Sequence, residues 1–208
     1  MELFADRAEA GALLAERLPE VRDPVVLALP RGGVAVAVPV VRRIGGELEV
    51  LVTRKIGYPP APELGVGAIA EGGEPVFDLT MLDRLGLTPE AVADVVERER
   101  RELARRVETY RGGRPLPPLA GREVIVVDDG LATGVTARAA LRAVAAARPA
   151  RLTLAVPVGA QDTVRMMRSE ADEVVVLLTP ADFRAVGQWY AHFDQLTDED
   201  VLDLLDRR

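Results

Sequence analysis

The 208-residue chain contains no cysteine, and histidine occurs once, at His192. The first absence excludes disulfide bonds, thiol catalysis and thiolate metal ligands, and the second excludes a metal site built from several histidines. No apolar run approaches the ~20 residues that a membrane-spanning helix needs. Glu2, Asp6 and Glu9 interrupt residues 1–10, so no signal peptide is predicted there. We therefore expect a cytoplasmic protein with no membrane partner.

Lysine is nearly absent as well. Lys55 is the only one, so arginine supplies the other 25 of the 26 basic residues. With 33 acidic residues the net charge is −7, which disfavours nonspecific binding to nucleic acid. Hydrophobic residues make up 49% of the chain, enough to bury a core, and the length suits a single domain over residues 1–208. A homodimer is a candidate assembly.

Apolar runs and helical periodicities alternate along the chain, which predicts an α/β fold with a central, mostly parallel sheet flanked by helices. Strands are predicted over residues 25–29, 48–53, 123–127, 152–156 and 174–178, and helices over 5–18, 34–44, 89–110, 135–148 and 163–168. Residues 54–67 are rich in proline and glycine and show no periodicity, which predicts a long loop. Residues 67–70 and 75–78 flank Gly72-Gly73, which predicts a short hairpin.

The most informative segment runs from Val124 to Thr136. Its apolar start predicts a buried strand, Asp128 and Asp129 follow at the carboxyl end, and a small-residue loop opens the next helix. Ligands of open α/β sheets bind at the carboxyl ends of strands, and N–H groups at a helix N-terminus favour a phosphate. Two adjacent carboxylates suit two vicinal hydroxyls or a divalent cation held through water. A phosphate beside a diol describes a ribose 5-phosphate.

This segment resembles the phosphoribosyl pyrophosphate (PRPP) signature of type I phosphoribosyltransferases: an apolar strand, two acidic residues, and a small-residue loop containing Thr-Gly and a hydroxyl. An ordinary strand-to-helix turn is the alternative, and a P-loop is excluded because no Gly-Lys-[Ser/Thr] follows. The resemblance implies that Asp128 and Asp129 are catalytic and hold Mg²⁺ through water. It also implies a loop for the 5-phosphate made of Gly130, Leu131, Ala132, Thr133, Gly134, Val135 and Thr136.

Two further stretches fit the same family in the expected order. Pro30, Arg31, Gly32 and Gly33 resemble the loop that binds pyrophosphate, in which Arg31 would assist catalysis, although this sequence also makes an ordinary turn. Lys55 resembles a basic position that contacts pyrophosphate, and the alternative is a solvated surface lysine. Because the chain uses arginine at every other basic position, and the two cations are not interchangeable at a phosphate, the lysine favours function.

The resemblance implies two mobile or accessory parts. One is a flexible lid, here at about residues 57–67, whose closure would exclude water. The other is a small hood that binds the acceptor, built from about residues 1–20 and 180–208. Trp189 and Tyr190 are candidates to stack on a planar base there, although aromatic residues near a chain end also close cores.

The implied reaction is displacement of pyrophosphate from C1 of Mg²⁺-bound PRPP by a nitrogen nucleophile. In 6-oxopurine enzymes of the family, an aspartate lies three positions beyond the second acidic residue. Ala132 stands there, as in adenine-using members, so a typical hypoxanthine or guanine enzyme is disfavoured. Glu63 in the lid is an alternative base or a plain surface residue, His192 is expected to be structural, and the lid after Lys55 lacks the lysine expected of an orotate enzyme.

Two other function classes stay open. The first is a PRPP-sensing or nucleotide-sensing regulator that kept the fold with little catalysis. The second is a phosphorylase or hydrolase of a related sugar phosphate. The mixed charge run over residues 97–108 offers no clean basic patch for nucleic acid, which weighs against a regulator that binds DNA or RNA.

Overall fold

The computed structural model describes residues 3–206. The strands within this range are β1 (Val25–Ala28), β2 (Glu47–Val50), β3 (Thr53–Tyr58), β4 (Ala61–Ala70), β5 (Val76–Phe77), β6 (Glu123–Val127), β7 (Arg151–Val158) and β8 (Glu173–Leu178). The α-helices are α1 (Arg7–Arg17), α2 (Gly32–Ile44), α3 (Leu79–Arg84), α4 (Ala93–Arg111), α5 (Val135–Ala146), α6 (Gln161–Met167) and α7 (Asp198–Asp206).

The central sheet contains five parallel strands in the order β2-β1-β6-β7-β8. All four residues of β1 are buried. Because helices cover both faces of the sheet, its inner strands are continuous apolar runs rather than alternating patterns. The predicted α/β fold with a parallel sheet flanked by helices is therefore confirmed.

The two faces of β1 enter different cores. Val25 and Leu27 pack with residues of α5 and α6, whereas Val26 and Ala28 pack with residues of α1, α2 and α7. The crossovers after β1 and β6 therefore lie on opposite faces, although these two strands are neighbours. This is the topological switch point at which open α/β sheets bind ligands, just beyond the carboxyl ends of the strands.

The predicted loop over residues 54–67 is wrong, because these residues form most of an antiparallel sheet in the order β3-β4-β5. Ile56 and Val66 are buried against α3 and α4, and the register slips next to Gly57. Only the tip, at 59–64, is exposed throughout. The hairpin predicted around Gly72-Gly73 is confirmed as the β4–β5 pair.

Several predicted boundaries also change. β2 ends at Val50, and Thr53, predicted in the same strand, begins β3 instead. The helix predicted from residue 89 starts as a short 3₁₀ turn, Pro89–Val92, and continues as α4. Helices α3 and α7 were not predicted. The strand over 123–127 matches β6 at both ends.

The start of the described chain meets the segment before α7 beside the sheet. Phe4 forms a parallel bridge with Tyr190, and both pack with Trp189 and Val158 in a small separate core. Helix α1 then packs along α2, where a Cβ on Gly11 would lie 2.3 Å from the Val36 carbonyl oxygen. Across residues 3–206, no helix combines the length and apolarity needed to cross a membrane.

Candidate active site

Asp128 and Asp129 directly follow β6, next to the carboxyl end of β1. Asp128 Oδ1 accepts the backbone N–H of Asp129 at 2.8 Å, and Asp129 Oδ2 accepts Nε of Arg7 at 2.8 Å. The other oxygens, Asp128 Oδ2 and Asp129 Oδ1, have no hydrogen-bond partner within residues 3–206. Each carboxylate is therefore held by one oxygen and offers the second as an acceptor.

Desolvation dominates the electrostatics of this pair. Burial raises the pKa of Asp128 well above its ordinary value, and the adjacent Asp129 carboxylate raises it further. Burial also raises the pKa of Asp129, while the Arg7 guanidinium opposes that rise. Two close, partly desolvated carboxylates favour a cation or hydroxyl donors as ligands, because either would compensate their charge.

The residues after β1 lie directly against the acidic pair. The Pro30–Arg31 peptide bond is cis. A Cβ on Gly33 would lie 2.6 Å from the Val127 carbonyl oxygen, and one on Gly32 would lie 1.8 Å from Asp129 Oδ2. A side chain at position 33 would clash with the backbone, and one at position 32 would displace the Asp129 carboxylate. The predicted pyrophosphate loop and the two carboxylates are thus brought together at one edge of the sheet.

Arg31 is the N-cap residue of α2 and its side chain makes no capping bond. The backbone N–H groups of Arg31 and Gly32 have no acceptor among residues 3–206. Burial is the main reason that the pKa of Tyr110 rises to about 12, and the charge of Arg31 opposes the rise. Arg31 therefore lies within electrostatic reach of α4, on the side where α7 also packs.

The predicted 5-phosphate loop is anchored at its base and open at its top. Leu131 is buried, its N–H donates to the Val158 carbonyl at the end of β7, and its carbonyl accepts the N–H of Ala160. The Ala132 carbonyl accepts the Thr163 hydroxyl at 2.6 Å. Gly134 is the N-cap of α5 with φ +73°. The first bond of that helix is from Arg138 N–H to the Gly134 carbonyl, 2.8 Å. The preceding N–H groups, at 135–137, have no acceptor within the described range 3–206, as is usual in the first turn of a helix.

Lys55 and Glu63 lie together in the β3–β4 hairpin. Lys55 Nζ donates to the Glu63 carbonyl at 2.8 Å, and a Cβ on Gly65 would lie 2.9 Å from Lys55 Cδ. Arg54, beside it, is held away by the buried Glu99 of α4 at 2.8 Å. The ammonium of Lys55 is therefore the exposed cation of this hairpin, but the structure does not bring it into contact with Asp128 or Asp129.

Trp189 and Tyr190 fill core positions. Trp189 is 1% exposed and Tyr190 is 5% exposed, so neither presents an open ring face to a base. This arrangement corresponds to the core-closing alternative for aromatic residues near a chain end. The Tyr190 hydroxyl instead donates to the Asp129 carbonyl at 2.6 Å, and burial raises the pKa of this phenol. The stacking role stays a prediction that would require this segment to move.

Arg7 is the site residue that sequence reasoning missed. It contacts Asp129 from the first turn of α1, 122 positions away in the chain. Among 25 arginines, no local pattern distinguishes it. The only indication that Arg7 lies near the site is indirect, because the predicted hood includes residues 1–20.

The two carboxylates could hold Mg²⁺ together with water and substrate oxygens, but they do not form a complete set of protein ligands. In the described part of the chain, no three His, Cys, Asp or Glu side chains come together as a metal centre. Asp128 and Asp129 supply carboxylate oxygens, the ligand type that Mg²⁺ prefers, and this ion commonly takes one or two carboxylates plus waters and substrate phosphates.

Comparisons with known proteins agree with this geometry. The model of the phosphoribosyl transferase domain matches residues 6–188. A Mycobacterium tuberculosis protein provisionally named a phosphoribosyl transferase is 46% identical over 209 residues, covering 100% of this chain and 47% of that protein. The chain thus spans about half the length of the curated relatives it matches.

Solved structures show the same fold. The crystal structure of the protein TT1426 from Thermus thermophilus has a TM-score of 0.81 and 46% identity, covering 99% of this chain and 98% of that one. A Neisseria gonorrhoeae protein crystallised with bound ppGpp has a TM-score of 0.51 and 14% identity, covering 100% and 97% of the two chains.

Proposed function

Because this chain belongs to the phosphoribosyl transferase family, we propose that it transfers the phosphoribosyl group of PRPP to a nitrogen nucleophile and releases pyrophosphate. One observation carries the proposal. The Asp128–Asp129 pair, the glycine loop after β1 and the N-terminus of α5 converge at one switch point, which matches the diol, pyrophosphate and 5-phosphate of a single substrate.

The acidic pair would bind the ribose. Asp128 Oδ2 and Asp129 Oδ1 are the acceptors without partners, so they would receive hydrogen bonds from the 2- and 3-hydroxyls. The N–H groups at 135–137 would bind the 5-phosphate. This arrangement holds the sugar at both ends, so that C1 faces the glycine loop, and most of the catalysis would be positioning and electrostatics.

The leaving group would be bound by the loop after β1. The N–H groups of Arg31 and Gly32 have no other acceptor among the described residues, and the Arg31 guanidinium would stabilise the growing negative charge. Closure of the β3–β4 hairpin would bring Lys55 to the same pyrophosphate. Mg²⁺ held by Asp128 and Asp129 through water would neutralise pyrophosphate charge when bound.

The absence of an acidic side chain in the 5-phosphate loop restricts the acceptor. Ala132 is exposed at the position where 6-oxopurine enzymes carry an aspartate, so no side chain there accepts a proton. We therefore propose an acceptor other than hypoxanthine or guanine. It is a nucleobase or related amine that needs no base from this loop.

A screen for pyrophosphate release tests the proposal. The protein would be incubated with PRPP and Mg²⁺ against adenine, hypoxanthine, guanine, orotate and simple amines. We expect release with at least one acceptor outside the 6-oxopurines, loss of release in Asp128→Asn, and retention in the matched control Asp162→Asn, whose exposed side chain pairs with Arg165 on α6.

A regulator with the same fold is the second candidate. One observation favours it: the rings of Trp189 and Tyr190 are covered, so neither is open to stack on an acceptor base. The Neisseria gonorrhoeae protein of the same fold was crystallised with ppGpp, which supports including anionic nucleotides among the ligands tested. PRPP binding without pyrophosphate release for any acceptor would support the regulator and refute the transferase.

A further inference from the structure

The Arg7 guanidinium makes three contacts, and its helix start is capped, which distinguishes it from a surface arginine. Asp6 caps α1 by accepting the N–H groups of Ala8 and Glu9, and so fixes the helix start from which Arg7 projects. The Arg7 guanidinium donates to Asp129 Oδ2 at 2.8 Å and to the Asp194 carbonyl at 3.0 Å. Its Cζ lies 3.8 Å from the centroid of the Phe193 ring, a cation–π arrangement.

Two partners of Arg7, Phe193 and Asp194, lie on a stretch that we call the closing segment, residues 186–194. This segment is bonded to the chain start, because the N–H groups of Ala191 and His192 donate to the carbonyls of Phe4 and Ala5 at 2.8 and 3.0 Å. It also contacts the site, because a Cβ on Gly130 would lie 2.6 Å from Val186 Cγ1 and the Tyr190 hydroxyl donates to the Asp129 carbonyl. Arg7 thus joins the closing segment to the acidic pair.

The contact with Asp129 has a geometric consequence. With Oδ2 occupied by Arg7, only Oδ1 remains as an acceptor for a sugar hydroxyl. The side chains of Arg7 and Asp129 are 11% and 16% exposed, so the pair is shielded enough for the hydrogen bond to fix the carboxylate rotamer. A planar fork that bonds two oxygens while stacking on a ring cannot be reproduced by a lysine.

We propose that Arg7 is a positioning residue: it selects the Asp129 oxygen that faces the ribose, and it couples that orientation to the docking of the closing segment. The substrate named here rests on the proposed function, whereas the coupling between Arg7 and the closing segment does not. Arg7 acts through Asp129 and need not touch the reacting atoms.

Calorimetric titration with Mg²⁺–PRPP tests the first half. Loss of a residue that orients a ligand group typically costs about 10- to 100-fold in affinity, and we expect that loss in Arg7→Gln. Arg7→Lys should recover part of it, and Arg17→Gln, in the last turn of the same helix, should match the parent. If an acceptor is found, KM for PRPP should rise more than kcat falls. Unchanged or tighter binding by Arg7→Gln would overturn the proposal, and tighter binding would show that Arg7 blocks the site.

Amide hydrogen exchange tests the coupling without any ligand. We expect the N–H groups of Ala191 and His192 to exchange about tenfold faster or more in Arg7→Gln and in Phe193→Leu, and at the parent rate in Arg17→Gln. The increase in exchange rate in the Arg7→Gln/Phe193→Leu double variant should be smaller than the two single effects combined, because both changes remove the same interaction.

Parent exchange rates in Arg7→Gln would refute the coupling. If the parent protein itself does not bind Mg²⁺–PRPP, the proposed function fails together with the ribose-orienting half of the proposal, and the exchange rates still decide the coupling. If the parent binds and Arg7→Gln binds equally, the role of Arg7 fails and the proposed function stands.

Discussion

Replacing Gly134 with alanine should separate the cost of backbone strain from the cost of crowding the phosphate loop. Gly134 has φ +73° at the N-cap of α5, and a Cβ there would lie 2.5 Å from Thr163 Cγ2 and 3.1 Å from Met167 Cε. Gly72 has nearly the same φ, +71°, but a Cβ there would meet nothing within 4 Å. Gly72→Ala is therefore a matched control with the strain alone.

The two magnitudes follow from this difference. A left-handed conformation costs a non-glycine residue about 1–2 kcal/mol, so Gly72→Ala should lose about that much stability. Overpacking adds about 1–3 kcal/mol, so Gly134→Ala should lose about 2–5 kcal/mol in total. For a chain of this size each kcal/mol lowers Tm by about 2–4 °C.

The same substitution should also affect ligand binding. Thr163 holds the loop through the Ala132 carbonyl, so crowding between residues 134 and 163 displaces the N–H groups that would bind the 5-phosphate. A displacement of about 1 Å in a positioned group costs up to ~100-fold, and we expect at least about tenfold weaker binding of ribose 5-phosphate. Gly72→Ala should bind like the parent.

Urea denaturation and calorimetry with ribose 5-phosphate measure the two effects. If Gly134→Ala were as stable as Gly72→Ala and bound the sugar phosphate like the parent, the packing of this loop against α6 would not control the site. Both the stability and the binding argument would then be refuted.

Three further outcomes are expected. Lys55→Ala should weaken pyrophosphate binding by about tenfold or more and leave ribose 5-phosphate unchanged in calorimetry, because one charge-assisted contact is lost; equal affinities would contradict the role. Arg111→Met should lower the free energy of unfolding in urea by about 3–5 kcal/mol, because it leaves the carboxylate of Glu71 largely buried and unpaired. The Arg111→Met/Glu71→Met double variant, which buries no unpaired charge, should be destabilised less. Burial, and after it the hydrogen bond to Asp198, raises the pKa of Tyr110 from 10 to about 12. The contribution of this neutral phenol to the free energy of unfolding is therefore fully present below pH 10 and is lost as the pH rises toward 12. Tyr110→Phe should show a smaller alkaline decline, and an identical decline would refute this origin.

The parallel sheet was predictable because its inner strands, β1, β6 and β7, are buried on both faces. β6 is an apolar run followed by two aspartates, so it can be recognised as a strand without knowing which side chains point to which face of the sheet. The β3–β4 hairpin was not predictable on the same grounds. Pro59 and Pro60 at its tip, with glycines in its strands, resemble a loop, and contacts outside the segment stabilise it, including the Arg54–Glu99 ion pair.

The site divides in the same way. The sequence predicted Asp128, Asp129 and the loop after them together, because these residues are consecutive in the chain and form one recognisable motif. Arg7 reaches Asp129 only through the packing of the chain ends, and nothing local in the sequence encodes that contact. Burial likewise decides the role of Trp189, and an aromatic residue looks the same in a sequence whether it fills a core or lines a pocket.

Calorimetric titration of Mg²⁺–PRPP into the parent protein and into Asp128→Asn/Asp129→Asn tests the central claim most directly, with Asp162→Asn as the control. The parent and the control should bind, and the double variant should bind at least ~100-fold more weakly, because two charge-assisted hydrogen bonds to the sugar are lost. Absence of binding by the parent, or equal binding by the double variant, would contradict the account.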